Sequence, residues 1–134
     1  MKLQPDRTDT LSIQAHGPGW VVVSGQRFES SVVVSSQGRL EPWGCDSRET
    51  LTAEHFEALG REQPELVIFG SGAQLRFVHP ALLRPLIERG IGVETMDTMA
   101  AARTFNILAG EGRRVVAALL LERPSSAVGL GDEQ

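Results

Sequence analysis

The sequence has little of what marks a secreted, membrane-spanning or disulfide-stabilised protein. Its single cysteine, Cys45, cannot form an internal disulfide, which fits a reducing compartment. No apolar run approaches the roughly 18 residues that a membrane-spanning helix needs. The first ten residues, MKLQPDRTDT, contain neither a signal-peptide apolar core nor an Arg-rich amphipathic pattern. We therefore expect a soluble protein of the cytoplasm without a membrane span.

Concentrated positive charge is also absent from the sequence. The formal net charge is -4, and the basic residues, nearly all of them arginine, are spread along the chain. Nucleic acid is therefore not expected as a partner, because phosphate binding normally requires a concentrated basic surface. The three histidines lack metal-ligand spacing and Cys45 stands alone, so we predict neither a metal site nor another cofactor.

What remains is typical of one globular domain. The chain has 134 residues and a hydrophobic fraction of 41%, enough for a single core. The first residues are polar, and the last are acidic and rich in glycine. We predict a flexible N-terminal segment at residues 1–14, a single α/β domain at 15–122, and a flexible C-terminal tail at 123–134.

The first half of the chain has the pattern of β-structure, and the second half alternates. Valine-rich runs at 21–23 and 32–34, punctuated by Ser and Gly, predict strands joined by hairpins. In the second half, strands and helices alternate. Helix starts are predicted at Thr52, at Pro80 and at Asp97 or Thr98. The predicted order is βββ-α-β-α-β-α-β. It implies a single α/β domain with a mixed central sheet, N-terminal β-hairpins and helices packed against the sheet. The direction of the last strand is left open.

The stretch ELVIFGSGAQLR breaks from an apolar strand into Gly-Ser-Gly, as a phosphate-binding turn does. A dinucleotide fingerprint needs a third glycine, but Leu75 stands in that place. A nucleophile elbow needs G-x-S-x-G, but Ser71 is flanked directly by Gly70 and Gly72. The favoured interpretation is a turn at the edge of the sheet, and no catalytic residue is predicted.

That turn still lies where ligands of α/β sheets bind. If the strands ending at Phe69 and Glu94 are parallel neighbours, their carboxyl ends share one edge of the sheet. The turn and the start of the next helix would then surround a crevice. The candidate ligand residues there are Gly70, Ser71, Gly72, Asp97 and Thr98. The free amides of the helix start suit an anion, although the Asp97 carboxylate competes for them.

The same helix contains a second polar group of residues. Arg103 and Asn106 are three residues apart and share a face. Asn is a weak helix former, so Asn106 either ties the helix to a neighbouring loop or belongs to a polar patch for a ligand or partner. It lies about 13 Å from Asp97 along the helix axis, at about 1.5 Å per residue. It should therefore not line the same crevice.

Two stretches, ELVIFGSG and RGIGVETMDTMAAARTFNILAGEGRRVVAALL, resemble a small domain family of largely unknown function that includes a mitochondrial respiratory complex I assembly factor. The positions that carry the resemblance are Gly70, Gly72, Gly90, Glu94, Asp97, Thr98, Arg103, Thr104, Phe105, Asn106, Glu111, Gly112 and Arg113. The resemblance implies an α/β fold with a mixed central sheet. It adds Thr104 to the candidate ligand or partner residues and implies no established enzymatic activity. The family often has Cys where this chain has Ala102, so thiol chemistry cannot operate there.

Two hypotheses of different classes follow. The leading one is a non-catalytic protein-binding domain that assists assembly of a respiratory or membrane-associated complex. Its expected partners are respiratory-complex subunits or assembly proteins. The alternative is a small-molecule or anion-binding domain, or an uncharacterised enzyme, that uses the Gly70-Ser71-Gly72 turn and the Asp97-Thr98 helix start.

Overall fold

The computed structural model describes residues 11–122, which contain eight strands and three α-helices. The strands are β1 (Ile13–Gly17), β2 (Trp20–Val23), β3 (Gln26–Phe28), β4 (Val32–Ser35), β5 (Leu40–Pro42), β6 (Leu66–Gly70), β7 (Gly92–Met96) and β8 (Val115–Leu119). The helices are α1 (Ala53–Glu57), α2 (Pro80–Ile87) and α3 (Thr98–Gly110). Single 3-10 turns occur at Arg48–Thr50 and Ala58–Gly60. The predicted C-terminal tail and most of the predicted N-terminal segment lie outside the described residues.

The strands form two sheets. The larger has the order β5-β4-β8-β6-β7, with β6 parallel to both β7 and β8, and β4 antiparallel to both β5 and β8. The smaller is an antiparallel sheet with the order β1-β2-β3. The predicted mixed α/β fold is therefore confirmed, and β8 runs parallel to β6. All five residues of β8 are buried, because the strand is paired on both edges and covered on both faces.

The larger sheet separates two hydrophobic clusters. On β6 the side chains alternate, so that Phe69 packs in the cluster with Phe56 of α1 and Leu86 of α2. Ile68 packs in the cluster on the opposite face with Phe105 of α3. That second cluster also includes the inward side chains of the smaller sheet. Helix α3 and the β1-β2-β3 sheet therefore cover one face together, while α1 and α2 cover the other.

The predicted helix starts are confirmed. Thr52 caps α1 in a capping box with His55, Pro80 is at the start of α2, and Asp97 caps α3. Helix α2 continues past Pro85 to its end, so this proline does not restart it. No helix within residues 11–122 has both the length and the apolar character that crossing a membrane requires.

The predicted number of N-terminal strands was wrong. Five strands precede α1 instead of three, and the additions are β1 and β5. Strand β1 has the sequence IQAHG, in which only Ile13 is buried, so its pattern is too polar to indicate a strand. It begins at Ile13, within the segment predicted to be flexible. Strands β4 and β5 form an antiparallel hairpin, and this hairpin belongs to the larger sheet rather than to the β1-β2-β3 sheet.

Candidate functional site

The Gly-Ser-Gly turn and the start of α3 meet, as the parallel pairing of their strands requires. The Gly72 N–H donates to Thr98 Oγ1 at 2.9 Å, and the Thr98 N–H donates to the Gly72 carbonyl at 2.8 Å. The Thr98 hydroxyl in turn donates to the Leu120 carbonyl at 2.9 Å. Thr98 is buried, so water does not compete for these three hydrogen bonds. This threonine therefore joins the ends of three chain segments at one edge of the sheet.

Ser71 is part of the turn's own structure. Only 1% of the residue is exposed, its hydroxyl donates to the Gln74 carbonyl at 2.7 Å, and its Oγ accepts from the Arg76 N–H at 2.9 Å. The histidine nearest in sequence, His79, uses its ring Nδ1 to accept from the Ala81 N–H at the start of α2. A nucleophile needs both access and an adjacent base. Ser71 instead has the environment of a residue that shapes a loop.

Gly70 and Gly72 allow neighbouring parts of the chain to pack closely against the turn. A Cβ added at Gly70 would lie 3.1 Å from both the Ala101 Cβ and the Thr98 Cα, so glycine lets α3 approach β6 closely. Gly72 has a φ of 105°, which favours glycine, and an added Cβ would lie 2.6 Å from Glu122 Oε1. Packing within the chain accounts for both glycines without a phosphate.

The start of α3 offers little to an anion. The Asp97 carboxylate accepts from the Ala100 N–H at 2.8 Å, and the Thr98 N–H is already bonded to Gly72. A negative side chain thus occupies the position where an anion would sit. The Thr98 and Ala100 amides, which an anion at this helix start would need, are therefore already bonded within the chain.

Asn106 bonds to a strand at the far end of α3. Its Nδ2 donates to the Ile13 carbonyl at 2.8 Å, and its Oδ1 accepts from the Ile13 N–H at 2.9 Å. The amide therefore holds α3 against the first residue of β1, where the sequence suggested a loop. Arg103 is exposed and Thr104 is half-buried. The Asn106 side chain is thus committed to Ile13, whereas Arg103 is accessible to a partner.

Arg103 stands in the middle of an exposed row on α3. Met99, Arg103 and Ile107 are spaced four residues apart, so they lie along one side of the helix. Met99 is 53% exposed and Ile107 is 61% exposed, which is unusual for large apolar side chains on a packed helix. We call these three residues the outer row.

A cleft lies at the same sheet edge as the Gly-Ser-Gly turn, and sequence reasoning missed it. Its volume is about 440 Å³, and it lies between the β1-β2 turn, the loop after β6, the first turn of α3 and the chain after β8. Its lining residues are His16, Gly17, Pro18, Gly19, Gly72, Ala73, Thr98, Met99, Leu120, Leu121 and Glu122. The one local signal was the Gly-Pro-Gly turn, which does not reveal where the hairpin packs.

Cys45 does not have the environment of a reactive thiol. The residue is 7% exposed, and burial, with a smaller contribution from the Asp46 carboxylate, raises the pKa of the thiol from 9.0 to about 12. A thiolate is the nucleophilic form of cysteine. Cys45 therefore packs as an apolar side chain against Trp43 and its neighbours in the hydrophobic cluster beside α1.

Comparisons with known proteins extend over nearly the whole described chain. Residues 13–120 match the family model described as protein of unknown function, DUF498/DUF598. A mouse protein named NADH dehydrogenase (ubiquinone) 1 alpha subcomplex assembly factor 3 is 32% identical over 120 residues, which cover 88% of this chain and 64% of the mouse protein. The chain thus spans less than two thirds of that relative. An uncharacterised protein of Rhodobacter capsulatus is 32% identical over 118 residues, covering 87% of this chain and 90% of the relative.

A solved structure shares the fold. The crystal structure of a protein from Bordetella parapertussis superposes with a TM-score of 0.80 at 38% sequence identity, covering 84% of this chain and 97% of that one. The two-sheet arrangement described above is therefore shared with a protein of similar length.

Proposed function

Because the chain belongs to the DUF498/DUF598 family of unknown function, we propose that it is a non-catalytic protein-binding domain that assists the assembly of a respiratory complex. The observation that carries this proposal is the 32% identity to the mouse assembly factor over 120 residues. That relative is named for its part in assembling NADH dehydrogenase. The identity extends over 88% of this chain, so we expect the two proteins to share one scaffold.

The chemistry of the sheet edge supports a binding role over a catalytic one. Ser71, Asp97 and Thr98 are the groups that sequence analysis placed there, and each is hydrogen-bonded within the chain. Catalysis by such groups would require a nucleophile or a base directed at a substrate. Here the same groups hold the turn and the start of α3 in place.

The outer row of Met99, Arg103 and Ile107 is the surface best suited to a protein partner. When a partner covers exposed apolar side chains, the free energy of the complex falls. Arg is also enriched at the centres of interfaces. Arg103 lies between the two apolar side chains, so a partner would meet a cation flanked by apolar contacts. This arrangement uses the accessible member of the predicted Arg103-Asn106 pair.

Genetic complementation tests the proposal. Cells that naturally produce the chain are deprived of it, and the amount of assembled NADH:quinone oxidoreductase is measured on native gels, with succinate dehydrogenase as the unaffected complex. We expect the oxidoreductase to fall and the wild-type chain to restore it. An unchanged amount of the oxidoreductase in the deprived cells would contradict the assembly role.

Variants locate the partner surface within that experiment. Ile107→Lys changes the outer row, whereas Ile87→Lys changes an isoleucine of α2 that is similarly exposed at 58% but lies on the opposite face of the larger sheet. We expect Ile107→Lys to fail in complementation and Ile87→Lys to succeed, with both proteins retaining the wild-type melting temperature. Equal activity of the two variants would remove the outer row from the proposal.

One observation supports the small-molecule hypothesis. A cleft of about 440 Å³ lies beside Gly72 and Thr98. Within the described chain the residues that line this cleft include Glu122 and neither Lys nor Arg, which does not suit an anion.

A further inference from the structure

The cleft opens where α3 and the smaller sheet separate. The two Asn106–Ile13 hydrogen bonds join α3 to the start of β1. Strand β1 then extends about 13 Å to Gly17, at about 3.3 Å per residue. Helix α3 covers about 12 Å between Asn106 and Thr98, at about 1.5 Å per residue. The two elements are thus held together at one end, and Gly17 and Thr98 line the cleft at the other end.

The walls of the cleft are apolar side chains and glycine backbone. Leu121 is 3% exposed and belongs to the hydrophobic cluster beneath α3, so the cleft is continuous with the core. Met99 lines it from the first turn of the helix, and Gly17, Gly19 and Gly72 let backbone form part of the wall. The volume of about 440 Å³ lies within the range of about 300–1,000 Å³ that small-ligand sites occupy.

Among the described residues that line the cleft, Glu122 supplies a negative charge. The titratable side chains of the cleft are His16 and Glu122, and neither Lys nor Arg lines it within the described chain. Glu122 Oε1 lies close to the backbone of Gly72, since a Cβ there would approach it to 2.6 Å. The Thr98 hydroxyl and the Gly72 N–H, by contrast, are hydrogen-bonded within the chain. A carboxylate beside apolar walls is complementary to a cation that carries a hydrocarbon body.

We propose that this cleft binds a small organic cation. Its ammonium group pairs with the Glu122 carboxylate, and its hydrocarbon part lies against Leu121 and Met99. The proposal goes beyond the assembly role. Met99 belongs to both the outer row and the cleft lining, so the cleft is tested below at Glu122 and Ala73, which lie outside the outer row. The free amides at the start of α3 suggested an anion as the ligand, whereas the cleft as a whole favours a cation.

Three probes of equal chain length test the charge preference on the full-length protein: n-hexylammonium, hexanoate and 1-hexanol. Binding is followed by ¹H–¹⁵N NMR, with the amides of Gly17 and Gly19 as reporters from the cleft and that of Gly90, beyond the end of α2, as a distant control. We expect hexylammonium to shift the Gly17 and Gly19 resonances and to bind about fivefold more tightly than hexanoate. Hexanoate binding as tightly as hexylammonium would overturn the proposal, as would unchanged Gly17 and Gly19 resonances.

Matched variants test the residues. Glu122→Gln keeps the shape but removes the charge, and Glu111→Gln makes the same change at an exposed site at the end of α3. We expect only Glu122→Gln to abolish the preference for the ammonium probe. Persistence of that preference in Glu122→Gln would assign the selectivity to another group and overturn the proposal.

A steric pair tests the location. Ala73→Trp fills the cleft from an exposed lining position, and Ala15→Trp places the same side chain on an exposed β1 residue outside the lining. We expect Ala73→Trp to weaken hexylammonium binding at least tenfold and Ala15→Trp to leave it within twofold, which are order-of-magnitude expectations for a blocked and an open pocket. Equal effects of the two variants would show that the probe binds elsewhere. Thermal unfolding confirms that each variant is folded.

Discussion

Asn106 and Ile13 lie 93 positions apart in the sequence, and a pair of reciprocal hydrogen bonds joins them. The Asn106 side chain satisfies both the N–H and the carbonyl of the first residue of β1. A side-chain amide that serves both backbone groups of one residue acts in place of a neighbouring strand. This contact fixes where the smaller sheet packs on α3.

Replacing Asn106 by Ala should destabilise the fold without altering the helix surface. The change leaves the Ile13 N–H and carbonyl without these partners, which we expect to lower the free energy of unfolding by about 2 kcal/mol. Urea denaturation measures the difference. Arg103→Ala, one turn away and exposed, is the control and should stay within about 0.5 kcal/mol of wild type. A loss for Asn106→Ala no larger than that of the control would show that the contact contributes little.

Replacing Ser71 by Ala should loosen the loop between β6 and α2. The variant loses the hydroxyl contacts to the Gln74 carbonyl and the Arg76 N–H. We expect a destabilisation of about 1–3 kcal/mol and faster hydrogen exchange at the Arg76 amide. The wild-type serine should also resist fluorophosphonate labelling, since it is buried and its hydroxyl is bonded to the Gln74 carbonyl. Rapid labelling at Ser71 would reopen the catalytic interpretation.

The contribution of Thr98 to the stability of the fold should come from its hydroxyl rather than from the shape of its side chain. Thr98→Val keeps the branched side chain but removes the group that accepts from the Gly72 N–H and donates to the Leu120 carbonyl. We expect Thr98→Val to cost about 2 kcal/mol of unfolding free energy and Thr98→Ser to cost less, because serine keeps the hydroxyl. Thermal or urea unfolding separates the two. The reverse ranking would indicate that packing of the methyl group dominates at this position.

Cys45 should make the folded state less stable at alkaline pH. Burial raises the pKa of its thiol from 9.0 to about 12 in the folded state. Between these values the unfolded chain releases the proton while the folded chain retains it, so the free energy of unfolding falls as pH rises. The sequence has no tyrosine, and Lys2 is its one lysine, so few other groups titrate in this range.

Two measurements check the cysteine prediction. Urea denaturation between pH 8 and 10.5, in about half-unit steps across the onset of thiol ionisation, should show a steeper alkaline decline for wild type than for Cys45→Ala. Ellman's reagent should react with Cys45 slowly in the native protein and rapidly in denaturant. Parallel pH profiles for the two proteins, or fast native labelling, would contradict the assigned environment.

Local chemistry made much of the second half predictable. Thr52, Pro80 and Asp97 are residues that begin helices for known physical reasons, and each stands at the start of a helix in the structure. The strand-helix alternation likewise implied parallel pairing, and β6 and β7 are parallel neighbours. That pairing is why the Gly-Ser-Gly turn and the start of α3 could be placed side by side.

The unpredicted features depend on contacts between distant residues. Strand β1 has one buried residue and is defined by its pairing with β2 and by the Asn106 contact, neither of which leaves a pattern in IQAHG. The cleft was missed for the same reason, since one of its walls is the β1-β2 turn. The strand order β5-β4-β8-β6-β7 also required knowing that β8 inserts between segments far from it in sequence.

The position of β8 has a consequence for synthesis of the chain. A ribosome produces β4, β5, β6 and β7 before the strand that lies between β4 and β6 exists. Until β8 emerges, the larger sheet can form only as two separate strand pairs, β4-β5 and β6-β7, each with an unpaired edge of the kind that joins other chains. The central sheet therefore closes in a single late event. Nascent chains stalled before Val115 would be the most prone to aggregate or to engage chaperones.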